Sequence, residues 1–161
     1  MAKPVDAKDL FDRCMEKSAH EPLTASVVAT CLVSPFTIHC HKFAPEEEKD
    51  EISEYDKLLS KKGKEHEIQT VRANYPGISP IQYPTREDGF KVAIESMISG
   101  TNALHGIPIY FLPHGLYGEA DIMEKSTDDN SIFGDYHYTI KEVKLAKNRE
   151  ERHLIHGWCY N

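Results

Sequence analysis

The tightest constraint on how this 161-residue chain can fold is a change of hydrophobic period near residue 100. Before it, apolar residues recur at steps of three and four, the repeat of a helix face. After it they recur at steps of two, the repeat of a strand with one side buried. Residues 107–112, 116–125 and 136–146 read as three strands. Pro113-His114-Gly115 makes the first turn, and the polar run 126–130 makes the second. The strands therefore follow one another as a meander.

The helical part is less uniform. Residues 5–18 carry Val5, Leu10, Phe11 and Met15 as an apolar stripe. Residues 23–33 are rich in β-branched side chains and read equally as a strand or as the end of a buried helix. Pro35 and Pro45 bracket a stretch expected to be irregular. A long helix is expected over 46–72, where Ile52, Tyr55, Leu59, Gly63, His66 and Thr70 share one face. Its first turns would hold Glu46, Glu47, Glu48, Asp50 and Glu51, as the helix dipole favours. The three prolines within 74–88 mark a loop. A shorter helix follows over 88–98 with Phe90, Ile94, Met97 and Ile98 inward, ended by Gly100. A last helix is expected over 149–160. Helices around a meander give an α/β domain with a central mixed sheet. The length suits one domain over 1–161, with 1–33 as an N-terminal extension and 34–161 as the core. The core is either minimal or truncated at its C-terminal end.

Charge narrows the partners. Asp and Glu number 26 against 19 Lys and Arg, a net charge of −7, which excludes a histone-like coat on nucleic acid. A local basic groove remains open, since 141–152 holds five Lys or Arg against three Glu. No apolar run approaches the ~20 residues of a membrane span, and the first residues have no apolar signal core. A cytoplasmic protein is expected. Cys14, Cys31, Cys40 and Cys159 form no CxxC pair and are expected as free thiols. His39-Cys40-His41 has soft-metal chemistry, but strand geometry would send its neighbours to opposite faces.

Chemistry concentrates on two of the strands. Asp121 lies in Gly118-x-x-Asp121, and Glu142-x-Lys144 follows about twenty residues on. Glu142 and Lys144 are two apart and share a face. Pairing of the two strands in a simple hairpin register brings Asp121 to Glu142. Two carboxylates beside a lysine suit a hard divalent cation, Mg²⁺ or Mn²⁺, next to a phosphate.

The ordered set Gly63-Lys-Glu-His66-Glu67, Gly118-x-x-Asp121, Glu142-x-Lys144 and His153-Leu-Ile-His156-Gly-Trp-Cys-Tyr160 resembles the RecB-family nucleases of the PD-(D/E)xK, restriction-endonuclease-like superfamily. It is similar to the small CRISPR-associated RecB-like exonucleases. The resemblance spans roughly residues 34–161. It implies a restriction-endonuclease-like core and metal-dependent hydrolysis of DNA phosphodiesters. It implies metal ligation by His66, Asp121, Glu142 and the Val143 carbonyl, with Asp121, Glu142 and Lys144 catalytic. Glu67, about 100° round the helix from His66, competes for the helix ligand position. His156 stands where such nucleases carry glutamine, with Tyr160 one turn on. Lys147, Arg149, Arg152, His156 and Tyr160 would then face single- or double-stranded DNA. The iron–sulfur cluster of the CRISPR-associated relatives is not expected, because these four cysteines are not arranged to supply four thiolates. The alternative is a nuclease-fold DNA-binding module that is catalytically impaired or needs a partner.

Overall fold

The structure is a computed structural model that describes residues 5–146. Its helices are α1 (Ala7–Met15), α2 (Ala25–Val33), α3 (Pro35–Phe43), α4 (Glu54–Asn74) and α5 (Arg86–Ile98). Its strands are β1 (Leu23–Thr24), β2 (Ala103–Phe111), β3 (Leu116–Ser126) and β4 (His137–Lys141). They make an α/β arrangement of four strands in a mixed sheet flanked by helices. Among the described residues no helix is long and apolar enough to cross a membrane.

Each of the five helices starts on a side chain that caps it. Asp6, Thr24, Ser34, Ser53 and Thr85 accept the N–H of Asp9, Val27, Thr37, Asp56 and Asp88 in turn. A cap supplies an acceptor to a helix N–H that has none within the helix. These caps correct two of the sequence expectations. The stretch between Pro35 and Pro45 is helical, because Ser34 caps it and Pro35 sits in the first turn, where its missing N–H costs nothing. The long helix begins at Glu54, not at residue 46. Ser53 caps it, and only a short 3-10 turn occupies Glu46–Glu48. Residues 23–33, left open between strand and helix, divide into β1 and α2.

The meander is present, with β2–β3 and β3–β4 antiparallel. The third strand is shorter than the alternation suggests: it ends at Lys141, so Glu142 and Lys144 lie just past it. Within the segment expected as an N-terminal extension, Leu23 and Thr24 join the sheet, because β1 pairs parallel with β3 through Leu23–Leu116 and Thr24–Tyr117. One consequence of this topology locates the site. β2 covers one edge of β3 from Leu116 to Glu124. β1 and β4 must therefore share the other edge. β1 reaches Tyr117, and β4 ends opposite Ile122. Between them residues 118–121 face a gap.

Alternation sends Leu104 and Met123 to one face of the sheet, where they pack with Ala93 of α5. Ile81, Met97, Tyr138 and Ile140 close around them. Phe90 continues this layer outward, with ring centroids 5.8 Å from Phe11 of α1 and 5.5 Å from Tyr110. His105 points to the opposite face, towards α4, where its Nε2 lies 2.9 Å from Glu67 Oε1. Glu124 on the same face pairs with Lys141. The sheet is thus held between α1 and α5 on one side and α4 on the other. Burial of this apolar layer is the main stabilising term, at roughly 25 cal/mol per Å² removed from water.

Candidate active site

The gap along β3 contains the two carboxylates that the sequence singles out. Continuing the β3–β4 register past Ile122–Lys141 sets Asp121 opposite Glu142. There the ladder opens. In place of a backbone acceptor, the Val143 N–H donates to Asp121 Oδ2 at 2.6 Å. The strand thus ends by handing a backbone donor to a side chain, which fixes that carboxylate at the mouth of the gap. On the opposite side, β2 presents Gly106 across from Asp121, as its neighbours pair His105–Ile122 and Ile107–Ala120. Gly106 has φ of 64°, a conformation that disfavours any other residue, so no side chain rises beside Asp121 from β2.

Lys144 completes the group. Its Nζ donates to Glu142 Oε2 at 2.6 Å, and the Glu142 side chain is only 10% exposed. Asp121, Glu142 and Lys144 line one cavity of about 230 Å³. Thr24 and Ser26 come from the β1–α2 junction, Arg86 from the start of α5, and Gly118 and Glu119 from β3. Burial, and then the charge of Glu142, push the Asp121 carboxyl up to about 6; the Val143 N–H and Lys144 pull the other way. Two carboxylates crowded in a partly dry cleft are what a bound cation relieves.

The other expected site residues divide. Val143 follows Glu142 and contributes its N–H to Asp121. His66 is half-buried on α4, and its side chain makes no hydrogen bond or ion pair among the described residues. Its neighbour Glu67 is the α4 group engaged with the sheet: it is paired with His105, and its charge is felt at Asp121. Lys147, Arg149, Arg152, His156 and Tyr160, and the helix expected over 149–160, lie outside the described residues. His39, Cys40 and His41 sit on α3, not on a strand. There His39 lies between the rings of Phe36 and Phe43, with centroids 6.4 and 4.9 Å away.

Two features escaped the sequence reading. Glu119 is two residues before Asp121 and lines the same cavity; period-two alternation alone could have found it. Arg86 is 33 residues from Glu119 in sequence and reaches it only through the packing of α5 on β2; its guanidinium lies 3.5 Å from the Glu119 carboxylate.

Among the described residues no group of three or more His, Cys, Asp and Glu side chains is placed to hold a metal ion. The donors that do converge are two carboxylates. That set still fits Mg²⁺, which commonly binds through one or two carboxylates and keeps water or substrate oxygens elsewhere in its shell. Comparison with protein-family models, curated proteins and solved structures gives no match to this chain.

Proposed function

We propose that the chain is a nuclease with a restriction-endonuclease-like core that hydrolyses DNA phosphodiesters with Mg²⁺ or Mn²⁺. The observation that carries this reading is the convergence of Asp121, Glu142 and Lys144 in one cleft at the sheet-edge gap. Their order and spacing also resemble the RecB-family pattern.

Asp121 and Glu142 would hold the cation. When bound, it supplies an acidified water and neutralises charge on the phosphate. The Val143 N–H holds Asp121 at one oxygen and leaves the other for the ion. Lys144 stands beside Glu142 and offers a positive donor where negative charge grows on the phosphate oxygens. Gly106 keeps the β2 side of Asp121 clear. Glu67, braced by His105, adds negative potential from α4.

The second reading, a DNA-binding module without hydrolysis, draws on the two-carboxylate ligand set and on the ion pair that occupies Glu142 Oε2. Calorimetric titration of the metal-free protein with Mn²⁺ tests the cation site common to both. The expected result is one Mn²⁺ per chain, abolished by Asp121→Asn. Equal heats for wild type and Asp121→Asn would contradict the cation site. Saturable Mn²⁺ binding without DNA cleavage would favour the binding module.

A further inference from the structure

We propose that Arg86 is a phosphate-binding residue of this site, and that Glu119 holds its guanidinium in reserve until DNA takes its place. The inference rests on the nuclease reading above.

Among the described residues, the cavity that holds Asp121, Glu142 and Lys144 is lined by one other cation, Arg86. Glu119 and Asp121 are two residues apart on β3, about 7 Å at ~3.4 Å per residue. Arg86 therefore stands along the cleft from the proposed reacting phosphate by a distance comparable with one nucleotide step. A DNA strand whose scissile phosphate lies at Asp121 and Glu142 brings a neighbouring phosphate into reach of Arg86.

The backbone of Arg86 is well fixed. It is the first residue of α5, next to the capping Thr85, whose Oγ1 accepts the Asp88 N–H at 3.2 Å. Three residues on, Gly89 lets α5 approach β2 so closely that an added Cβ would stand 2.7 Å from Pro108 Cγ. Its side chain is less constrained. The Arg86–Glu119 contact is 3.5 Å, with both side chains about half exposed. An exposed pair of that length is weak and exchangeable. A phosphate offers the guanidinium a bidentate, charge-assisted partner that a surface carboxylate at this distance does not match. Thr24 lines the same cavity, and its Oγ1 already accepts the Val27 N–H, which leaves its own proton to donate. A guanidinium and a hydroxyl lining one cleft would together cradle a phosphodiester. Three carboxylates line the cleft against two cations, and a bound metal would offset the excess, so metal and DNA should bind together.

The test measures binding of a short fluorescein-labelled DNA duplex, with Mn²⁺ present, over about 50 to 200 mM salt. All proteins carry Lys144→Ala so that the DNA stays intact. Cleavage by the otherwise wild-type protein is measured alongside. Adding Arg86→Ala should weaken binding roughly tenfold and lower the slope of log K against log salt by about 0.9, one released counterion. Arg86→Lys should keep the slope but lose part of the affinity, because the charge survives and the fork does not. Glu119→Gln should tighten binding, and its gain should shrink when Arg86 is absent. Thermal melting of each variant provides the structural control. If Arg86→Ala lowers the melting temperature but leaves the salt slope unchanged, Arg86 is only a structural partner of Glu119 and the inference fails. If the wild type cleaves DNA yet neither Arg86 nor Glu119 alters binding, the inference fails and the nuclease reading stands. If the wild type cleaves no DNA, both fall.

Discussion

Asp121→Asn in metal-free protein should make the fold more stable at neutral pH, although it removes a residue assigned to catalysis. The Asp121 carboxyl is pushed from its ordinary 3.8 to about 6, first by burial and then by Glu142. A raised carboxyl binds its proton more tightly in the folded than in the unfolded chain. Stability is therefore highest below pH 4 in this respect and is lost as pH rises through about 6. Above that, the fold carries a charge that it holds at a penalty. A rise of about two pH units corresponds to about 3 kcal/mol for a fully buried group. Asp121 is partly open to water, and screening reduces this to about 1–2 kcal/mol. Asparagine keeps the acceptor for the Val143 N–H and drops the charge. Urea unfolding in chelator at pH 8 should show the variant more stable by that amount, with the difference vanishing near pH 4. Saturating Mn²⁺ should reverse the order, since only the wild type gains binding energy, about 2.7 kcal/mol at a hundredfold excess over Kd. Equal stability at pH 8, or a gap that persists unchanged at pH 4, would refute the electrostatic account of the cleft.

Other substitutions test the scaffold. Gly89→Ala would ordinarily favour a helix by about 1 kcal/mol. Here the added methyl would meet Tyr83 at 2.6 Å and the buried Pro108 at 2.7 Å. Net destabilisation of about 1–3 kcal/mol is expected by urea unfolding, and a gain in stability would show that α5 does not sit so close to β2. Ile107→Ala removes a side chain that is 0% exposed in the core and should cost about 2–5 kcal/mol in the same assay. A loss under about 1 kcal/mol would deny it that central place.

The sheet and the Asp121–Glu142 carboxylate pair were the legible parts, because both depend on period-two alternation. Antiparallel neighbours joined by short turns have few registers to choose from, and the hydrophobic pattern selects among them. That is why Asp121 could be matched to Glu142 from sequence. Helix boundaries were less legible where signals competed. The acidic run at residues 46–51 has the charge pattern of a helix start, but Ser53 and Asp56 form the actual cap, joined through Ser53 Oγ and Asp56 Oδ2 at 2.5 Å. By composition alone Pro35 reads as a break, yet with Ser34 before it the same residue begins a helix. The parallel pairing of β1 with β3 had no sequence signal, since it involves only Leu23 and Thr24. Yet β1 defines one side of the gap and brings Thr24 to the cleft. The choice between His66 and Glu67 turned on helix rotation about the α4 axis, which an imperfect apolar stripe does not fix; the buried His105 on β2 meets Glu67.

Cleavage of a labelled DNA strand in Mn²⁺ compares the wild type directly with Lys144→Ala, Asp121→Asn and a chelator control. The predicted result is release of labelled products by the wild type alone, with both variants folded and silent. Intact DNA after incubation with Mn²⁺-loaded wild type, or equal cleavage by Lys144→Ala, would contradict the account.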